Sequence, residues 1–284
     1  MKIGAVMFFT TYSMPPMPLA RALEERGFES LWVPEHTHIP LSRKTPYRPG
    51  GPLLRAYYDI MDPFLVLNAA ACATTRLRIG TGVCLMNQRD PITTAKMVST
   101  IDQLSAGRFL FGVGVGWNQD EMENHGTVFA TRARLTRERI EAMRAIWTED
   151  EPEYHGEFVN FDAMNQWPKP AQKPHPPIIV GGAFPHAARR AIRYGNGWIP
   201  RADHFRKEEM GEMLGRFRRM AAEAGRDPAE LPITIFRAPA DIQVLRNLRD
   251  VGVDRVVFSL PAEPEEKLLP IMDEWAGLRR ALAE

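Results

Sequence analysis

The sequence predicts an α/β protein built as a (β/α)8 barrel, on three observations. Short apolar runs of strand length alternate with helix-period segments almost from end to end. Eight such pairs can be marked, the number that closes a barrel rather than leaving an open doubly wound sheet. The length of 284 residues suits one barrel with insertions. Strands are expected at 2–8, 30–34, 77–83, 108–114, 177–181, 197–200, 232–237 and 254–260. Helices are expected at 18–27, 62–75, 91–105, 133–149, 185–194, 207–224, 242–251 and 264–282.

Taken in order, the elements carry their own punctuation. The chain enters its first strand within two residues (KIGAVMF). Gly27, Gly195 and Gly252 follow helical stretches as expected of glycines just past a helix end. Asp62-Pro63 and Asp90-Pro91 each place an N-cap acceptor before a proline at the first helical position. Two segments break the rhythm, near 38–58 and 151–177, so residues 1–284 read as one barrel domain with insertions at those places. The first insertion is proline-rich and basic, with Arg43, Lys44, Arg48 and Arg55. These cations either attract an acidic cofactor tail or substrate, or form a solvated loop face. The second insertion holds a short hairpin candidate (YHGEFVNF). Both overhang the expected pocket, as a lid, a dimer contact or plain solvated loop.

Composition narrows the function classes. Hydrophobic residues are 44% and charged residues 25%, a balance for a large core and against disorder. Thirty-six basic and 35 acidic residues leave a formal charge of +1. No global field therefore favours nucleic acid or an acidic membrane. Cys72 and Cys84 are too few for a disulfide framework or a zinc site, so the cytoplasm is the expected compartment. No apolar run of about 18 residues is present, so no membrane span is expected. No strand candidate has an interior lysine, which argues against a Schiff-base lyase.

Four motifs lie at expected strand ends, the barrel face where chemistry is done. Glu35 and His36 follow the second strand. A histidine beside a carboxylate there serves as a proton donor or ring polariser, or is an ordinary loop histidine. His36 and His38 at i, i+2 also allow a metal reading, but further ligands at metal spacing are lacking, so no metal is expected. Thr81, Gly82 and Val83 end the third strand, and Val115, Gly116 and Trp117 follow the fourth. Missing Cβ atoms either let a flat ligand approach the backbone or mark a glycine-weakened strand packed closely in the barrel, and Trp117 stacks on or walls off an aromatic ring. Gly112 to Gly116 read GxGxG but lack the full dinucleotide fingerprint. Gly181, Gly182 and Ala183 precede a helix, and a helix N-terminus with free N–H groups suits a phosphate. Arg201, at the end of the following strand, meets an anionic substrate or pairs on the surface.

The ordered set formed by residues 27–40 (GFESLWVPEHTHIP), 77–83 (LRIGTGV), 102–117 (DQLSAGRFLFGVGVGW) and 176–200 (PPIIVGGAFPHAARRAIRYGNGWIP) resembles the bacterial luciferase-like flavin and deazaflavin oxidoreductases, in particular the coenzyme F420-dependent branch. The resemblance implies a TIM-barrel oxidoreductase that moves a hydride between F420 and a small organic substrate. Alternatives are an FMN-dependent monooxygenase and a non-catalytic cofactor-binding protein. It implies His36 as proton donor, with Glu35 orienting it or touching the cofactor. It also implies a non-prolyl cis peptide at Gly82–Val83 behind the ring, a ring-side segment at Val115, Gly116 and Trp117, and a phosphate cradle at Gly181, Gly182 and Ala183. In the sugar-phosphate dehydrogenases of that group a Glu stands at the position of Trp117 and a phosphate-binding Thr at that of Arg201, so a sugar phosphate is not expected. A homodimer is expected, with no nucleic-acid partner.

Overall fold

The computed structural model describes residues 1–42, 44–47, 51–204 and 209–283. Its strands are β1 (Lys2–Val6), β2 (Ser30–Val33), β3 (Arg78–Thr81), β4 (Cys84–Leu85), β5 (Phe109–Gly114), β6 (Tyr154–His155), β7 (Asn160–Phe161), β8 (Ile178–Gly181), β9 (Trp198–Ile199), β10 (Thr234–Phe236) and β11 (Arg255–Ser259). Its helices are α1 (Pro16–Glu25), α2 (Pro63–Cys72), α3 (Pro91–Leu104), α4 (Gln119–Asn124), α5 (Arg132–Thr148), α6 (His186–Tyr194), α7 (Glu209–Glu223), α8 (Ile242–Asp250) and α9 (Glu265–Ala283).

Eight strands lie side by side in the order β10-β11-β1-β2-β3-β5-β8-β9, and the pairings among them are parallel. Bridges Trp198↔Ile233 and Arg201↔Phe236 bring β9 back to β10, giving a nearly closed barrel. All eight expected strands and all eight expected helices are present, with ends shifted by a few residues. The short β4 adds to β5, and β6 with β7 forms the expected hairpin as an antiparallel pair. Sequence periodicity missed α4, whose six residues carry no apolar repeat long enough to register.

Local chemistry accounts for the helix starts. Asp62 accepts from the Phe64 and Leu65 N–H groups, and Asp90 from that of Thr93. Each satisfies donors that the helix cannot, a contribution of about 1 kcal/mol. Gly27 and Gly252 sit at φ +75° and +76°, the left-handed position expected past a helix end. Gly195 differs: its backbone is extended. It is needed because a Cβ there would lie 2.9 Å from the Ala191 carbonyl.

Two apolar layers make the core. Helices pack on the outside of the barrel, and a smaller cluster of Val6, Trp32, Leu110, Ile179, Ile199, Phe236 and Val257 fills its interior. Trp32 and Phe236 meet edge to face at 5.3 Å. The barrel is thus a packed core whose open end alone is available for a ligand.

Candidate active site

That packed interior corrects one expectation. The glycines near the strand ends do not leave an open bed for a flat ligand; they make room for protein side chains. A Cβ on Gly80 would meet the Trp32 ring at 2.7 Å, and one on Gly82 the Phe236 ring at 2.8 Å. Cβ atoms on Gly114 and Gly181 would run into the two methyl groups of Val83. A Cβ on Gly112 would collide with the Thr81 carbonyl. Eight strands leave an interior just wide enough for side chains, so close backbone approach here serves packing. The Gly82–Val83 peptide is cis, as the resemblance implies, and Val83 projects into the hollow shared by Gly114 and Gly181. Thr81 is fully buried and its hydroxyl donates to the Gly112 carbonyl at 2.7 Å, so that side chain is occupied.

Above this layer, β2 delivers Glu35 and His36 to the barrel mouth, and the two diverge. Glu35 is 3% exposed. Its carboxylate accepts from the Leu85 N–H at 2.6 Å and from Arg89 at 2.5 Å. Arg89 also reaches Asp62 at 2.9 Å. Burial works against the Arg89 charge, but Glu35 outweighs it and holds the guanidinium more firmly protonated than usual. Burial, with Glu35 adding to it, pushes the neighbouring Cys84 thiol well up, so it stays protonated. Glu35 is thus turned into an ion pair beneath the rim, and it does not orient His36, the first of the two roles the resemblance implies for it.

The carboxylate on His36 is Glu121, at 2.8 Å from Nδ1 and with a side chain 1% exposed. Its second oxygen accepts the Thr37 N–H at 3.2 Å. Because carboxylate fixes Nδ1 as the donor, Nε2 is the nitrogen left to exchange a proton. Glu121 lies on α4, the helix that periodicity missed. The signal was present as an Asn118-x-x-Glu121 spacing directly after a strand end, a helix-start pattern. Around His36 stand Tyr57 at 5.4 Å and Trp117 at 5.9 Å, with Tyr47 at 6.1 Å from Trp117. Burial raises the Tyr57 pKa, and its contact with Tyr47 adds to this, so the phenol keeps its proton. Trp117 therefore stands beside His36, past the strand end where the sequence puts it. Tyr47 and Tyr57 come from the first insertion and had no role assigned.

That insertion is docked on α4. The Lys44 N–H bonds Asp120 at 2.5 Å, Lys44 Nζ pairs with Glu123 at 2.5 Å, and His38 meets Asn124 at 2.9 Å. Arg55 pairs with Asp59 at 2.7 Å. Lys44 and Arg55 thus have internal partners, while Arg43 and Arg48 lie outside the described residues. Arg201 also has one: its guanidinium pairs with Asp203, whose carboxylate Arg237 approaches at 3.6 Å. Arg237 in turn lies 3.5 Å from the Tyr57 hydroxyl, so Arg201, Asp203, Arg237 and Tyr57 rim one side of the mouth.

The adjoining part of the mouth is built from β8 and α6. Gly181 closes β8, Gly182 turns at φ +129°, and α6 begins three residues beyond Ala183. Gly182 is committed on both sides, donating to Ile199 and accepting from the Trp198 indole at 3.0 Å. A Cβ on it would sit 3.5 Å from Arg190 Nη2. The Nε atoms of Arg190 and Arg132 are buried without a partner. Burial lowers the pKa of Arg132, and the charge of Arg190 lowers it further. Arg132 Nη1 donates to the Phe129 carbonyl at 2.7 Å and its guanidinium lies over the Phe129 ring, but two neighbouring cations each with an unpartnered Nε, beside a helix N-terminus, fit an anion such as the phosphate of a flavin or deazaflavin. Val115 is half-buried with its carbonyl held by Asn87 at 3.1 Å, and Gly116 turns at φ +64° where a Cβ would strike Met122. Among the described residues no group of His, Cys, Asp and Glu is placed to hold a metal, and no helix is long and apolar enough to cross a membrane.

Residues 17–240 match the family model described as luciferase-like monooxygenase. An uncharacterized protein of Mycobacterium tuberculosis is 38% identical over 265 residues, covering 92% of each chain. The F420-dependent hydroxymycolic acid dehydrogenase of the same organism is 30% identical over 219 residues, covering 75% of this chain and 55% of that one. The crystal structure of monooxygenase RslO1 from Streptomyces bottropensis superposes with a TM-score of 0.82 at 21% identity over the whole of both chains. The chain belongs to the luciferase-like family, whose members are oxidoreductases and monooxygenases dependent on F420 or FMN.

Proposed function

We propose that this protein is an F420-dependent oxidoreductase that transfers a hydride between the deazaflavin and a small organic substrate. The carrying observation is the His36–Glu121 pair, which leaves Nε2 free at a mouth walled by Trp117 and Tyr57. The cofactor, when bound, supplies the hydride chemistry. Arg190, Arg132 and the α6 N-terminus hold its phosphate, and the cis Gly82–Val83 segment backs the ring. Trp117 and the two tyrosines exclude water and orient the substrate. His36 Nε2 gives or takes the proton that accompanies the hydride, and Glu121 stabilises the imidazolium. Arg201 and Arg237 lie where a substrate enters. Support for F420 comes from the 30% identity to an F420-dependent dehydrogenase. The anion cradle suits FMN equally, and a bacterial relative 34% identical over 137 residues is FMNH2-dependent. A homodimer in the cytoplasm completes this reading. The test is titration of the purified protein with F420 and FMN side by side, read by tryptophan fluorescence. Tight F420 with weak FMN is expected. The reverse result overturns the assignment in favour of an FMN monooxygenase.

A further inference from the structure

A basic groove runs between α6 and α7 on the outside of the barrel. One part, of about 570 Å3, is lined by Arg189, Arg216, Arg219, Met220, Glu223 and Ala224. It adjoins a second of about 430 Å3 that adds Arg193 and Arg226. Arg226 is occupied, donating to the carbonyls of Ile192 and Gly195 at the end of α6. Arg189, Arg193, Arg216 and Arg219 are exposed, and none pairs with a carboxylate among the described residues. Glu223 is the one acid lining the groove.

The groove begins beside the phosphate cradle. Arg216 lies over the Phe184 ring at 4.9 Å, and Phe184 directly follows Gly182 and Ala183. Arg189 and Arg190 are neighbours on α6, with Arg190 turned to Gly182 and Arg189 to the groove. Positive charge therefore continues outward from the cradle along α6. FMN ends at its phosphate and has nothing to place there. F420 continues through a phosphodiester into a chain of glutamate carboxylates.

We infer that the α6–α7 groove binds the oligocarboxylate tail of the cofactor through Arg189, Arg216 and Arg219. This rests on the F420 reading. The groove would then set preference among cofactor forms of different tail length, and it does so by charge, so salt erases it.

The test measures dissociation constants by tryptophan quenching for F420 bearing several glutamates, for F420 bearing none, and for FMN. Each is titrated into the wild type and into the triple variant Arg189→Gln, Arg216→Gln, Arg219→Gln, at about 20 and about 500 mM salt. The three side chains are exposed, so the variant keeps its fold; circular dichroism checks this. Expected is roughly tenfold tighter binding of the long-tailed form over the tail-less form at low salt. That advantage disappears in the triple variant and at high salt, while tail-less binding is unchanged. Equal binding of the two forms by the wild type overturns the inference and leaves the F420 reading standing. Persistence of the advantage in the triple variant also overturns it. Binding of FMN with no F420 form overturns both together.

Discussion

The two sides of the barrel mouth solve opposite problems. On the β2–β5 side the two carboxylates are satisfied from within: Glu121 serves His36 and Thr37, and Glu35 serves Leu85 and Arg89. On the β8–α6 side Arg132 and Arg190 stand together with buried Nε atoms unpartnered. A buried donor without a partner costs about 1–3 kcal/mol. The His36–Glu121 pair is complete before any ligand arrives, as a proton-handling group requires if it is to be oriented beforehand. The second side is incomplete, as an anion-binding group must be if the ligand is to supply the missing partner.

Substitutions on each side sharpen or break that division. The largest effect is expected at His36. His36→Ala should lower turnover by about 100- to 10,000-fold while leaving cofactor affinity within a few-fold. Stopped-flow oxidation of the reduced cofactor together with fluorescence titration separates the two, and loss of affinity without loss of turnover breaks the comparison. Arg89→Met should cost about 3–5 kcal/mol, because it leaves the Glu35 carboxylate buried and unpaired. Urea unfolding measures this; a neutral result would remove Glu35 from the structural framework and return it to the pocket.

Glu121→Gln should lower turnover roughly 10- to 100-fold, since the amide no longer stabilises a charged His36. An unchanged rate constant would show that the His36 orientation is set elsewhere. Gly114→Ala should lose about 1–3 kcal/mol through collision with Val83. Thermal unfolding reads it. If Gly114 faced a ligand instead, stability would hold and affinity would drop. The smallest effect is expected from Arg190→Gln. It should weaken cofactor binding about tenfold with kcat at saturation nearly unchanged. The apoprotein should be no less stable, since one of two repelling cations is gone; a lower melting temperature with intact affinity argues the opposite division.

Much of the architecture could be read from residue order. Asp62-Pro63 and Asp90-Pro91 mark helix starts by a local bond that needs only nearby N–H groups. His36, Trp117 and the Gly182 turn were also placed correctly at strand ends, because strand ends are local features. The partner of His36 was misassigned. Glu35 is adjacent in sequence, but successive residues past a strand point different ways, and Glu121 arrives from 85 positions later on a helix too short to show a period. Nothing in the sequence singles out Arg190. Only its neighbours Gly182 and Arg132 make it part of a cradle.

Glycine shows the limit most plainly. The pattern alone determined that several strands end where no Cβ is tolerated, and that eight strands alternate with helices. Those are consequences of steric size and hydrophobic period, which each residue carries with it. What fills the missing Cβ volume depends on which strand lies across the barrel. Trp32, Phe236 and Val83 claim it here, and only closure of the sheet decides that. Pair partners, orphaned donors and the arginine groove follow the same rule, because each is a distance between residues remote in the chain.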